Sequence, residues 1–273
     1  MCEHGRMPER PPALVAISHG TSSAEGRSAV RGLSDAVGAA LEQRASSRAG
    51  SAASVPETAP PSLRLGHVDV EQPDVPASLA SLDDGEPAVV VPLLLSAGYH
   101  VHVDLTEAVE AETARPVVLG GALGPDDRLV TVLLRRLREA GLRDDDRIVL
   151  AVAGSSDRRA VDDCHDMTAR LAAASGREVG VGFLSAAEPA LPAAVAAARA
   201  AAAGATSDGD GDGAAPRVII ANYLLAPGYF DDLARAAGAD VTAEPLLVPD
   251  APAPAELVDI VLDRYDAASA VRD

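Results

Sequence analysis

Six histidines are available for chemistry in this chain, and two of them stand where a buried strand empties into a glycine-flanked turn. His19 follows the apolar run Ala13–Ser18 (ALVAIS) and opens the turn His19-Gly20-Thr21-Ser22-Ser23. His100 follows the run Ala88–Leu95 (AVVVPLLL) and closes Ser96-Ala97-Gly98-Tyr99-His100. Parallel α/β sheets bind ligands beyond the carboxyl ends of their strands. Strands one and three of such a sheet can be neighbours, so these two imidazoles can converge. Imidazole suits first-row divalent metals. Two His ligands leave the shell incomplete, which is poor for a closed four-ligand structural site but fits a site that holds a metal briefly and passes it on. His102 and Asp104 continue at a spacing of two. If Tyr99–Asp104 is extended, His100, His102 and Asp104 share a side and His102 is a third candidate ligand. If a helix has begun there, His102 turns away. His4 in the N-terminal tail, His67 in a predicted strand and His165 in a predicted helix read as solvated or satisfied histidines.

The elements that must carry these turns alternate between strand and helix. Strands are expected at Ala13–Ser18, Leu63–Val70, Ala88–Leu95 and Pro116–Gly120. Helices are expected at Ala24–Gln43, Pro76–Leu82, Asp104–Thr113 and Pro125–Ala140, the last with Pro at its start. The cycle then restarts. Strands Arg147–Val152, Glu178–Leu184, Arg217–Leu225 and Val241–Leu247 alternate with helices near Arg158–Ala174, Leu191–Ala203, Phe230–Ala237 and Pro254–Ala267. Ala45–Ser62, rich in Ala, Ser and Pro, reads as a long mobile surface loop. Thr206–Ala215 reads as a Gly/Asp loop. Its Asp208, Asp210, Asp212 and Gly213 match only the first half of a calcium loop, with Ile219 at the acidic twelfth position.

The second cycle repeats the first. In VIIANYLLAPGYFDDL (Val218–Leu233), Gly228, Tyr229 and Phe230 take the places of Gly98, Tyr99 and His100. The stretch GHVDVEQPDVPASL from Gly66 matches GFLSAAEPALPAAV from Gly182, and HGTS from His19 matches AGSS from Ala153. Both imidazoles are replaced in the second copy, by Ala153 and Phe230, which implies one site and not two. The expected fold class is α/β: two tandem Rossmann-like or flavodoxin-like three-layer domains with parallel sheets and right-handed crossovers, related by a pseudo-two-fold. The expected division is a disordered tail at 1–12, a metal-bearing domain at 13–143 and a degenerate repeat domain at 144–273. The boundary falls in the charged linker Gly141–Asp146.

Composition narrows the function. A formal charge of -18, with every basic residue an arginine, speaks against a nucleic-acid partner. Two cysteines cannot make a disulfide framework, so a reducing cytoplasm is the expected home. The polar Met1–Pro12 has no signal-peptide core, and no apolar window is long enough for a membrane span. Neither a P-loop nor a strand-linked dinucleotide fingerprint occurs, so no nucleotide cofactor is expected. Ser22 and Ser23 suit either plain helix capping or an anion at the helix start.

SHGTS, GYHV and the downstream LGPDDRLV, taken with the decayed second copy, resemble the class II chelatases of the CbiX and SirB type, over roughly Leu14 to Tyr265. The resemblance implies insertion of cobalt or iron, with nickel also acceptable, into sirohydrochlorin for sirohaem or cobalamin, without ATP or a reductant. It implies the long, fused form of the fold, with the metal-binding pair at His19 and His100. Alternatives are a ferrochelatase for another tetrapyrrole or a non-catalytic carrier of metal or tetrapyrrole. Thr21, Ser22, Ser96, Gly98, Tyr99, Ser155, Ser156 and Tyr229 are the expected tetrapyrrole contacts, with Arg27, Arg158 and Arg159 as candidate carboxylate partners. Glu71 and Glu188 are candidate proton acceptors, each with the alternative role of helix-start acid. A monomer is expected.

Overall fold

The computed structural model describes residues 11–51, 59–96, 99–206 and 216–271, and side chains for all of these except 48–51, 99–102 and 204–206. The N-terminal tail with His4, Gly98 and the 207–215 segment therefore lie outside the described residues.

The first half runs β1 (Ala13–Ser18), α1 (Ala24–Ser51), β2 (Leu63–His67), α2 (Val75–Ala80), β3 (Ala88–Pro92), α3 (Tyr99–Ala111), β4 (Val117–Leu119) and α4 (Asp127–Glu139). The second runs β5 (Arg147–Val152), α5 (Arg158–Ser175), β6 (Val179–Phe183), α6 (Leu191–Thr206), β7 (Val218–Tyr223), α7 (Tyr229–Arg235), β8 (Val241–Thr242) and α8 (Ala255–Ala270). Each half forms a four-stranded parallel sheet, ordered β2-β1-β3-β4 and β6-β5-β7-β8. β1, β3 and β7 are buried throughout, as strands covered on both faces must be, which is why their sequences are almost wholly apolar, with Ser18 and Asn222 the buried polar exceptions.

The two registers are copies. Ala13 pairs with Ala88 in the first sheet and Arg147 with Val218 in the second; Leu14 pairs with Leu63 and Ile148 with Val179. These pairings superpose His19 on Ala153 and His67 on Phe183. The turn after each first strand places a glycine at φ +92 (Gly20) or +89 (Gly154). A Cβ at either would lie about 2 Å from the carbonyl oxygen of Asp69 or Ser185, so only glycine fits.

Packing crosses the repeat boundary. The outer faces of the sheets are covered locally. Ile17, Val90, Leu79 and Leu105 cluster beneath α2 and α3, and Val149, Ile220, Leu191 and Ala234 beneath α6 and α7. The inner faces share one core, in which Leu14, Val89 and Leu129 meet Leu150, Ile219 and Leu257. The last helix of each half contributes to the other: α4 lies against β7 and α5, and α8 against β3, β4 and α1. One arginine fastens each exchange. Arg136 of α4 donates to the carbonyls of Pro245 and Leu246, and Arg264 of α8 to those of Ala122 and Leu123. The halves thus follow the duplication in sequence but close a common interior.

Several boundaries differ from the sequence reading. α1 continues past Gln43 to Ser51 into the expected loop, with the Ser46 and Ser47 hydroxyls turned onto the carbonyls of Glu42 and Gln43 one turn back. β3 ends at Pro92, which has no N–H to extend the ladder, and not at Leu95. α4 is capped by Asp126, whose carboxylate accepts the Arg128 N–H, so Pro125 precedes the cap. β8 stops at Thr242, before Pro245. α3 begins at Tyr99, five residues earlier than expected.

The linker supplies a buried charge pair. Asp146 has no exposed side-chain surface and accepts both Nε and a terminal nitrogen of Arg217, at 3.0 and 2.7 Å. Burial pushes its carboxyl up, but hydrogen bonds from Arg217 and the Arg143 N–H, with their charges, outweigh this and hold it below the usual carboxylate range. A depressed folded value means the unfolded chain binds the proton more readily. The stabilisation is therefore complete above the ordinary carboxylate value and is lost as pH falls through the folded one. Arg217→Met removes the charge partner of a buried carboxylate, leaving it only the Arg143 N–H, and should lower the melting temperature. Thermal melts at pH 7 check this; in the variant, lowering the pH toward 4 should narrow the deficit.

Candidate metal-handling site

β1 and β3 lie side by side, so the residues that leave them do so at one carboxyl edge. His19, the first residue beyond β1, is exposed. The loop after β2 holds the turn around it. The Asp69 N–H donates to the His19 carbonyl at 3.0 Å, and the Val68 N–H to the Ser18 carbonyl at 2.9 Å. Glu71 accepts the Thr21 N–H at 2.8 Å. Ser18, 4% exposed, contacts His67 Nδ1 through its hydroxyl at 2.8 Å and accepts the Gly20 N–H at 3.2 Å. His67 is 6% exposed. Burial lowers its pKa; Glu71, 3.8 Å away, opposes that and Arg31 adds to it, leaving a net downward shift and a neutral ring near pH 7.

His100 lies at the second position of α3, and its side chain is outside the described residues. The helical backbone from Tyr99 removes the extended alternative in which His100, His102 and Asp104 share a side. At about 100° per residue, positions 100 and 102 diverge by about 200°, so His102 is not placed with His100.

The expected proton acceptors part company. Glu188 is exposed and accepts the Ala190 N–H beside α6, the bland role foreseen for it. Glu71 is not a helix-start acid, since Asp74 caps α2; its side chain is 13% exposed and turned into the His19 turn. Sequence reasoning missed two neighbours. Asp69 is exposed and accepts the Val70 N–H beside the His19 backbone. Ser18 was read only as the last residue of a strand. In both cases the signal was the repeat, which puts Ser185 opposite Asp69 and Val152 opposite Ser18.

The expected tetrapyrrole contacts are divided. Ser22 and Tyr229 line one cavity of about 500 Å³ between the two halves, with Ser23, Pro227 and Gly228. Its charged lining is Glu25, Asp231, Asp232 and Glu244 against Arg235, a poor match for a carboxylate-rich ligand. Thr21 holds the Ser23 N–H, and Ser23 caps α1 by accepting the Gly26 N–H. Ser96 is half-buried, and Tyr99 is described in backbone only. Ser155 accepts the Asp157 N–H, while Ser156 is exposed. Arg27 donates to the Thr21 and Ser22 carbonyls, and Arg158 is exposed beside Asp162. Arg27 thus braces the turn through one terminal nitrogen, with its Nε 4.0 Å from Glu71. One bond ties the halves at the exit of β3: Tyr223, kept protonated by burial, donates to the Leu95 carbonyl at 3.0 Å.

The CbiX family model matches residues 13–140 and 147–237, both halves of the duplication. The chain belongs to the CbiX family. It takes the long, two-domain form. None of the curated proteins matches it in sequence. Its fold is that of the chelatases. SirB from Bacillus subtilis with Fe3+ is 18% identical, with a TM-score of 0.68 over 95% of this chain and 96% of that one. The sirohydrochlorin chelatase SirB from Bacillus subtilis subspecies spizizenii, in complex with cobalt, is 14% identical, with a TM-score of 0.59 over 94% and 95%. The DR2241 protein from Deinococcus radiodurans, a multi-domain protein with structural similarity to chelatases, is 16% identical; the TM-score is 0.58 over 93% of this chain and 54% of that one. Among the described residues of this CbiX-family chain, no helix is long and apolar enough to cross a membrane.

Proposed function

We propose that the chain inserts a divalent metal, cobalt or iron, into a sirohydrochlorin-type tetrapyrrole, serving sirohaem or cobalamin formation. The observation that carries this reading is an asymmetry within a duplicated chelatase fold. The first half surrounds an exposed His19 with Ser18, His67, Asp69 and Glu71, and the second half has Val152, Ala153, Phe183, Ser185 and Ala187 at the same places.

Insertion replaces two pyrrolic N–H protons by one M²⁺, so the site must release metal and accept two protons. His19 and His100, as neutral imidazoles, hold the metal. The carboxylates beside the turn take the protons. Asp69 is open to solvent for that role, and Glu71 also keeps the turn in shape. The metal is a substrate that leaves in the product, which is why a two-imidazole shell is enough.

The macrocycle's carboxylates need donors, and the one arginine lining the acid-rich cavity, Arg235, already pairs with Asp231 and Glu244. In the first half the Thr21 N–H is already taken by Glu71. In the second half Ala187 stands in place of Glu71, so the position that answers Thr21 in the first half offers Ser155 no carboxylate. This favours the second half as the substrate-holding side. Replacing Ser155 and Ser156 together by Leu should raise the tetrapyrrole KM several-fold and leave cobalt affinity largely unchanged, read by steady-state kinetics and by calorimetry.

Timed absorption spectra of protein, sirohydrochlorin and Co²⁺ or Fe²⁺ test the activity. A chelatase converts many equivalents per chain at a rate above the uncatalysed one. Conversion that stops at one equivalent identifies a carrier instead.

A further inference from the structure

We propose that Ser18 and His67 form a positioning pair that fixes the His19 turn for metal binding, a proposal that rests on the reading of His19 as a ligand and adds two residues to it. His19 is followed by Gly20 at φ +92, a residue with wide backbone freedom. An exposed imidazole on such a turn samples many directions unless its flanking peptides are held. Backbone bonds from Val68 and Asp69 hold the carbonyls of Ser18 and His19, and the second half has the same two bonds, from Leu184 to Val152 and from Ser185 to Ala153. The second half adds the Ser185 hydroxyl on the Ala153 carbonyl at 2.9 Å; the first half instead braces the peptide after its turn histidine with two other side chains. Ser18 Oγ takes the Gly20 N–H at 3.2 Å and His67 Nδ1 lies 2.8 Å from that oxygen.

With Nδ1 unprotonated, the serine hydroxyl donates a hydrogen bond to the ring and turns a lone pair to the Gly20 N–H. The ring thereby orients the hydroxyl, and the hydroxyl orients the peptide after His19. The fold itself does not need this. At the same places the second half buries Val152 and Phe183, at 1% and 2% exposure, and keeps the same register. A buried polar pair is costly to maintain where an apolar pair packs as well. Here it accompanies the half that has the imidazole and is missing from the half that lost it. Partners that orient a metal ligand act in this way.

The test transplants the second half's residues: Ser18→Val with His67→Phe, in the full chain. Three readouts are compared with those of wild type and of His19→Ala: melting temperature, Co²⁺ affinity by calorimetry without tetrapyrrole, and exchange of the Gly20 amide proton. The expected result is a melting temperature within a few degrees of wild type, cobalt affinity lower by about tenfold, faster Gly20 exchange and an unchanged tetrapyrrole KM. Ser18→Thr, which keeps the hydroxyl on the shape of Val152, should bind cobalt like wild type. Unchanged affinity in the transplant, with clear loss in His19→Ala, overturns the positioning pair and leaves the ligand standing. Unchanged affinity in both overturns the ligand reading and the pair with it. If the transplant does not fold, Ser18→Ala against Ser18→Thr decides: a tenfold gap in affinity supports the pair, and no gap overturns it.

Discussion

His19→Ala should lower the rate of metal insertion by ~100-fold or more, about 2.7 kcal/mol of transition-state stabilisation, while the protein melts as wild type. The two effects separate because the side chain is exposed, contributes nothing to the core and belongs to a turn whose backbone bonds come from Val68, Asp69 and the side chains of Ser18 and Glu71. Ala153 already occupies the equivalent place in the second half with the same backbone pairing, so alanine there has a structural precedent. His100→Ala should have the same consequence for insertion. Phe230→Ala provides the contrast. That ring sits where the repeat puts His100, is 36% exposed and lies 5.7 Å from the ring of Tyr229. Its loss should trim stability or substrate packing and spare metal affinity. Stopped-flow insertion assays with parallel thermal melts check all three. Near wild-type turnover in either His variant would contradict the two-imidazole site.

Cobalt affinity should collapse in mild acid. An imidazole binds metal only when neutral, so each ligand that protonates must first lose its proton. Because both proposed ligands are imidazoles, the two losses multiply, and affinity falls more steeply with acid than it would with one such ligand. The sign is fixed: a protonated ring repels the metal, so affinity declines as pH drops. Carboxylates titrate lower and would leave affinity nearly flat in mild acid. Calorimetric titrations of Co²⁺ at half-unit pH steps distinguish a steep fall from a flat profile.

Much of the fold was legible because its signals are local. The runs at Ala13–Ser18, Arg147–Val152 and Val218–Tyr223 are apolar but for Ser18, Arg147 and Asn222, and a strand buried on both faces leaves that mark. The internal repeat predicted the paired turns at Gly20 and Gly154. What was hidden depends on contacts distant in sequence. Ser46 and Ser47 look like loop residues until their hydroxyls find the carbonyls of the preceding turn. No periodicity announces that α4 and α8 exchange sheets, because an amphipathic helix does not record which apolar surface it covers. In the site, His19 was read from its place at a strand end. Glu71 was underestimated, since an acid near a helix start looks like a cap, and only the folded loop brings it onto the Thr21 N–H. His67 did prove satisfied, as expected of a strand histidine, but its partner is the residue next to His19. The helical start at Tyr99 excluded the arrangement that would have enlisted His102.

The central claim is that one half of a duplicated fold holds the metal and does so through two imidazoles. X-ray absorption on the protein loaded with one equivalent of Co²⁺, in the absence of tetrapyrrole, measures this directly, because imidazole rings add a characteristic multiple-scattering pattern. The account predicts one cobalt per chain bearing two imidazole ligands, with one ring lost in His19→Ala and one in His100→Ala. A cobalt coordinated only by oxygen, or two equivalent cobalt sites per chain, would contradict it.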